Sequence, residues 1–289
     1  MSKILEQLIS LLRLEDLGQD GYRGQSQDPG WGRVYGGQVL GQAVMAAGAT
    51  MPPDRRMHSL HAYFVRPGDT EMPIDYQVER VRDGGAFSVR RVVASQAGQP
   101  IFNLSSSFQR IEEGYDHQSV MPDVPGPDGI PSESDRAREH ADKLPPDVLK
   151  RMTADRPIEM RVVNPDDHFF GTKLEAKRYS WMRAAGPVPD DLLVHQCLLA
   201  YASDWGLLST SLRPHGISIL SRKIQTASLD HAMWFHRDFR LDDWLLYVTD
   251  SPSAAGARGF SRGEVYDRQG RLVASAAQEG LIRPRKKPE

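Results

Sequence analysis

Three polar residues in the second half of the chain have side chains suited to acid–base and hydrogen-bond chemistry. They are Asp204 in YASDWGLL, Ser228 at the head of SLDHAMWFH, and Gln278 within VASAAQEGLI. A carboxylate can take up a proton, a hydroxyl both donates and accepts, and an amide donates from nitrogen and accepts at oxygen. Each residue also has a plain structural account. Asp204 follows a long helix and stands where it could N-cap the next turn. A serine at a strand start means little by itself. Gln278 lies among small and apolar residues, so an inward-facing amide there needs partners, because an unpaired buried polar group costs about 1–3 kcal/mol.

Other chemistries lack their residues. There is no HExxH, and the nine histidines are scattered, so no metal is expected. There is no GxSxG elbow, and GRVYGG has neither the spacing nor the preceding strand of a dinucleotide-binding turn. The single cysteine, Cys197, excludes an intrachain disulfide and a cysteine-based zinc cluster. It sits on an apolar helix face and reads as a buried structural thiol.

The elements that must position these residues are written twice. His231-Ala232 follows His61-Ala62 at an offset of 170 residues, and Gln278 follows Ser107 at 171. On that alignment His58 is the counterpart of Ser228. A steady offset over two strand-like stretches indicates a duplicated domain. In the first copy a Gly-rich turn (Gly30, Gly32, Gly36, Gly37) leads into QVLGQAVMAAGA, residues 38–49, apolar nearly all round and therefore a buried helix. Strands are predicted at 57–66, 73–82, 86–96 and 100–110, separated by turn residues. One buried helix followed by antiparallel strands indicates an α+β domain with a sheet wrapped on the helix. In the second copy the spacing predicts strands at 158–163 and 173–184, a helix from Asp190 to about Ala202, and strands at 228–236, 243–250, 256–267 and 271–283. Between the copies, 111–157 is a Pro-rich linker with a short charged helix N-capped by Ser132. The expected division is 1–110, an N-terminal domain; 111–157, the linker; and 158–289, a C-terminal domain. The two sheets would join side by side, removing one exposed edge from each.

Composition is that of an ordinary globular chain: 289 residues, 39% hydrophobic, 26% charged, net charge −2. No basic field invites nucleic acid. The start of the chain, MSKILEQLISLLRLEDL, has apolar residues at helical spacing interrupted by Glu6, Gln7 and Arg13, so it predicts an amphipathic helix packed on the body, not a signal peptide. No window reaches the length of a membrane span, and the PRKKPE tail is not a peroxisomal address. A cytoplasmic protein without membrane insertion is expected.

The segments YGGQVLGQA (35–43), FVRPGD (64–69), VHQCLLAYASD (194–204), LDHAMWFHR (229–237), ARGFSRGE (257–264) and LVASAAQEG (272–280) together resemble acyl-CoA thioesterase II. The likeness runs from the N-terminal helix to about residue 283. It implies a double hot-dog fold, two antiparallel sheets each wrapped on a central helix, and an expected homo-oligomer, dimer or tetramer. It also implies hydrolysis of medium- to long-chain fatty acyl-CoA to free acid and CoA, with no cofactor. The family's catalytic trio of Asp, hydroxyl residue and Gln falls here on Asp204, Ser228 and Gln278. The middle member of the family pattern is Thr, so Ser228 departs from it: the hydroxyl is kept and the methyl that restricts χ1 is lost.

These residue types support direct attack by water. Asp204 would act as general base, and Ser228 and Gln278 would hold the water and donate to the developing oxyanion. The rival is a covalent Ser228, which would want a base such as His231. Gly36 and Gly37 could offer backbone N–H groups to the thioester carbonyl, or serve only for a tight turn and close packing. His58 could line an accessory site in the first copy or be a strand histidine at the seam. Met233, Trp234 and Phe235 are candidates for the acyl tunnel and could equally be core, and several arginines, Arg258 and Arg262 among them, are available for the CoA phosphates. Two alternatives stand beside the hydrolase: a hot-dog enoyl-CoA hydratase using Asp230-His231, and a non-catalytic acyl-CoA-binding protein. Neighbouring strand residues point to opposite faces, which weakens the first.

Overall fold

The structure is a computed structural model that describes residues 2–30, 32–164, 172–221 and 223–285. The last four residues of the predicted PRKKPE tail lie outside this range. Helix α1 (Lys3–Leu12) is N-capped by Ser2 and buries Leu5, Leu8, Ile9 and Leu12, the apolar stripe legible in the sequence. Two short strands, β1 (Glu15–Gly18) and β2 (Gly21–Gly24), precede helix α2 (Gly36–Ala49), which is buried over most of its surface. Strands β3 (Arg55–Phe64), β4 (Ile74–Asp83), β5 (Phe87–Gln96) and β6 (Gln99–Arg110) complete the first copy.

The intervening segment carries helices α3 (Glu133–Glu139) and α4 (Pro146–Met152). Ser132 caps α3, with Asp135 closing the reciprocal capping box. The second copy runs β7 (Ile158–Val162), β8 (Lys177–Ala184), α5 (Leu192–Ser203), α6 (Leu207–Leu212), β9 (Ile224–Ser228), β10 (Asp230–Phe235), β11 (Leu245–Ala255), β12 (Arg258–Asp267) and β13 (Leu272–Pro284).

The strands form one antiparallel sheet in the order β1-β2-β4-β5-β6-β3-β10-β13-β12-β11-β8-β7, with β9 added on β13. Strands β3 and β10 join the copies edge to edge through pairs such as His61 with Ala232 and Leu60 with Met233. The predicted side-by-side junction is therefore present, and neither central strand is left as an open edge. Helices α2 and α5 pack on each other inside the curved sheet. Glycines permit this close approach: a Cβ on Gly41 would sit 3.0 Å from the Cys197 carbonyl oxygen. One apolar core, including Leu40, Val44, Leu60, Leu104, Leu198 and Val265, runs through both copies. The arrangement is a double hot-dog.

The register corrects the sequence alignment by one residue. Phe108 pairs with Met57 in the first copy, and Gly280 pairs with Ser228 in the second. The ladder slips between Met57 and Ser59, leaving His58 as an extra residue. The same bulge recurs in the second copy. There, Ser228 and Ala232 pair with Gly280 and Ala277, so Leu229 is the extra residue and splits the predicted 228–236 strand into β9 and β10. Ser228 thus corresponds to Met57, not to His58. Likewise Arg90 pairs with Ser106 and Ser261 with Gln278, and β5 and β12 share one alternation of buried residues. Gln278 therefore corresponds to Ser106, not Ser107. A one-residue slip turns every side chain to the other face, so the two alignments make opposite statements about which residues face inward.

Candidate active site

The three polar residues of the second copy come together although they lie on separate elements. Asp204 ends α5 as its C-cap, so the expectation that it N-caps the next turn is not met; Gly206 holds that position for α6, with φ +104°. The left-handed conformation there favours glycine and turns the chain sharply after Asp204. Ser228 closes β9 just before the bulge at Leu229. Gln278 faces inward from the middle of β13 and is buried.

Asp204 Oδ1 accepts two hydrogen bonds, from Ser228 Oγ and from Gln278 Nε2, each at 3.1 Å. Gln278 Nε2 also donates to Ser228 Oγ at 2.7 Å. The buried amide is therefore satisfied, as its position required. Its oxygen, Oε1, lies 2.8 Å from Nδ1 of the fully buried His231. Ser203 Oγ lies 3.0 Å from the other imidazole nitrogen. Burial pushes the His231 imidazole below its usual pKa, so the ring is neutral at physiological pH.

The first copy supplies the opposite wall. Gly36, at the N-terminus of α2, lies so close that a Cβ there would be 2.7 Å from Asp204 Oδ2 and 3.0 Å from the Phe64 ring. The first N–H groups of a helix have no intrahelical acceptor and carry the positive end of its dipole. The carboxylate thus sits at the negative end of α5 and against the positive end of α2. A Cβ on Gly37 would collide with the Tyr201 carbonyl oxygen and the Tyr35 ring, so close packing accounts for that glycine. Tyr35 OH donates to the same carbonyl at 3.1 Å, and Tyr247 OH donates to Ser203 O at 3.0 Å. Burial raises both phenols, and Tyr201 to about 12, so these groups remain donors at neutral pH.

Other residues singled out in the sequence lie elsewhere. His58 bonds Ser107 Oγ at 2.8 Å and meets Phe87 edge-on; it is six residues along β3 from Phe64, roughly 20 Å of extended strand. Met233 is buried, with its sulfur 3.3 Å from Ser203 Oγ. Trp234 points to the opposite face of the sheet, partly exposed and packed on His61. Phe235 is buried in the core against Phe239. Arg258 and Arg262 are engaged by Glu279 and Asp250. A cavity of about 660 Å³ lined by Glu159, Arg183, Gly186 and Arg240 touches none of the three residues. Among the described residues, no group of histidine, cysteine and carboxylate side chains could hold a metal.

Asp230 and His231 do not form an acid–base pair: Asp230 Oδ1 accepts from the Glu279 N–H at 2.7 Å, while His231 faces Gln278. The hydrogen bond between His231 and the amide and the closeness of Gly36 to the carboxylate have no motif of their own in the sequence. Only the alternation LDHAMWF, which puts His231 on the same face as Met233, hints at the first.

The comparisons with known proteins agree along nearly the whole chain. A family profile for acyl-CoA thioesterases matches residues 148–281, and one for the acyl-CoA thioesterase N-terminal domain matches residues 27–109. Acyl-CoA thioesterase 2 of Haemophilus influenzae is 43% identical over 283 residues, covering 98% of this chain and 99% of the relative. This chain belongs to the acyl-CoA thioesterase family. Human acyl-coenzyme A thioesterase 8 is 41% identical, covering 95% of this thioesterase and 88% of its own length. The crystal structure of an acyl-CoA thioesterase II from Mycobacterium marinum superposes with a TM-score of 0.77 at 38% identity, covering 96% of this thioesterase and 99% of that chain. Among the described residues no helix is long and apolar enough to cross a membrane.

Proposed function

We propose that this thioesterase hydrolyses medium- to long-chain fatty acyl-CoA by direct attack of a water activated at Asp204, Ser228 and Gln278. The observation that carries the assignment is the convergence of two donors on Asp204 Oδ1 while Oδ2 faces the space left by Gly36. Asp204 takes a proton from water as its oxygen bonds to the thioester carbon. The charge that gathers on the carbonyl oxygen is met by N–H groups at the start of α2, with Ser228 and Gln278 orienting the water. Collapse of the tetrahedral intermediate breaks the C–S bond, and the proton held by Asp204 passes to the departing thiolate. Thiolate is a good leaving group, so no stronger acid is needed.

A covalent Ser228 is less well supported, because the imidazole that would activate it is turned to Gln278. The hydratase reading loses its Asp-His pair in the same way. Free-thiol release from a panel of acyl-CoAs tests the assignment. The wild type should release CoA, and Asp204→Asn should lose about 10³-fold or more in kcat while keeping its fold and its substrate affinity. A wild-type rate in that variant removes Asp204 from the mechanism, and a trapped Ser228 acyl adduct removes the direct route. Consumption of an enoyl-CoA without thiol release would favour the hydratase, and tight binding without either reaction the silent binder. The same reading takes residues 1–110 and 158–289 as the two domains, and the protein as a cytoplasmic homo-oligomer acting without a cofactor; sedimentation gives the subunit number.

A further inference from the structure

His231 is the fully buried titratable group that touches the trio without belonging to it. The proton positions around it follow from the acceptor-only chemistry of a carboxylate. Asp204 Oδ1 cannot donate, so the amide atom 3.1 Å away must be the nitrogen of Gln278. The amide oxygen is then the atom facing His231, 2.8 Å from Nδ1, and it too can only accept. Nδ1 therefore carries the hydrogen. A neutral imidazole with Nδ1–H has a bare Nε2, and Ser203 Oγ lies 3.0 Å from it. The Ser203 hydroxyl also has the Ala200 carbonyl at 3.0 Å and the Met233 sulfur at 3.3 Å within reach, but the buried Nε2 has no other donor among the described residues, and a hydrogen aimed at it leaves that nitrogen satisfied. One chain of donors results: Ser203 to His231, His231 to Gln278, and Gln278 to Asp204 and Ser228.

We propose that His231 is a positioning residue whose Nδ1–H locks the Gln278 amide with its nitrogen turned toward Asp204 and Ser228, Ser203 holding the imidazole in that tautomer. The inference rests on the trio as the hydrolytic centre. An amide that can rotate by half a turn presents its oxygen to the carboxylate for part of the time. In that state the donor to Asp204 and to Ser228 is missing, and the two groups that hold the water lose their orientation. Losing one such donor costs about 10²–10³ in rate when the loss is complete, and a freely flipping amide loses it in part.

The tests are kinetic and spectroscopic. His231→Leu should lower kcat by about 10–100-fold with KM little changed. His231→Asn, whose side-chain N–H takes the place of Nδ1, should bring kcat back to within about tenfold of the wild type. His231→Gln, whose longer side chain reaches the place of Nε2 instead, should not. Nitrogen NMR of labelled histidine in the full-length wild type should give His231 a protonated Nδ1 and a bare Nε2 at neutral pH, and Ser203→Ala should mix the tautomers. A bare Nδ1 in the wild type overturns the proposal, and remains decisive if the leucine variant does not fold. Wild-type kcat in His231→Leu, with Asp204→Asn inactive, also overturns it while leaving the trio intact. A fully active Asp204→Asn brings down the trio reading, and with it any catalytic role for the chain of donors.

Discussion

Gly36 and Asp204 meet across the seam between the two copies, with 2.7 Å separating Asp204 Oδ2 from the place a Cβ on Gly36 would occupy. One carboxylate oxygen is occupied by Ser228 and Gln278, and the other is kept open by the missing methyl. Gly36→Ala must displace the carboxylate or the Phe64 ring. A shift of about 1 Å at a reacting group can cost 10²-fold. We expect kcat/KM in acyl-CoA hydrolysis to fall by about 10–100-fold. Because Gly36 has no positive φ, the melting temperature should change by only about 2–4 °C.

Gly37, one residue later, should behave differently. A Cβ there collides with the backbone of Tyr201 on α5, and a backbone oxygen cannot swing aside. Gly37→Ala should destabilise the protein by about 1–3 kcal/mol, the usual cost of overpacking. Chemical denaturation would show a lower midpoint, and the two glycine variants should therefore separate activity from stability.

Ser228 donates its hydroxyl hydrogen to Asp204 Oδ1 and accepts an N–H from the Gln278 amide. Ser228→Ala should lower kcat by about 10²-fold, the scale of one lost donor in a reaction centre. Ser228→Thr keeps the hydroxyl and stiffens χ1, so its kcat should stay within about threefold of the wild type. Steady-state thiol release on the two variants distinguishes the hydroxyl from the methyl.

The position of Ser261 is taken in the first copy by Arg90, buried to 1% exposure, which donates to Thr50 Oγ1 at 2.8 Å and to Asp83 at 2.7 Å. Asp83 is itself half exposed and stays solvated if the arginine is lost. The cost of truncation is then mainly the cavity. Arg90→Ala should destabilise by about 2–4 kcal/mol, and Arg90→Met, which refills the volume, by clearly less. Denaturation midpoints would show the order. Hydrolysis by the folded fraction should be unchanged, since the first copy has Met57 and Ser106 where the second has Ser228 and Gln278.

Burial lowers the folded-state pKa of His58, His195, His231 and His236. Nearby carboxylates, Asp204 and Asp230 for His231 and Asp242 for His195, offset this only in part. Unfolded histidine titrates near pH 6.5. Below that value the unfolded chain binds more protons than the native one, so stability is full above about pH 6.5 and declines as pH falls toward the depressed folded values. Melting temperature should fall between about pH 6.5 and 5. A fall that is equally steep in His231→Asn would exclude His231 as a contributor.

Much of the scaffold was legible in the sequence because it is decided locally. The all-round apolar 38–49 segment could only be a buried helix, Ser132 stands where it caps the short charged helix, and Gly and Asp clusters punctuate the antiparallel strands. The motif YASD, a hydroxyl at 228 and the amide of VASAAQEG were enough, through resemblance, to name the residues that the fold brings together.

What the tertiary structure alone decided is register and convergence. Nothing in HSLHAYF or SLDHAMWF marks His58 and Leu229 as extra residues, yet those bulges set which side chains face the helices. The bonds that assemble the trio join residues 24 and 74 positions apart, and Gly36 approaches from the other copy. Helix propensity, capping and turn chemistry act over a few neighbouring residues, so one sequence displays them directly. Strand register is chosen by whole-face burial against a partner strand, and a single slipped residue inverts the outcome, which is why it became visible only once the sheet had closed around its helices.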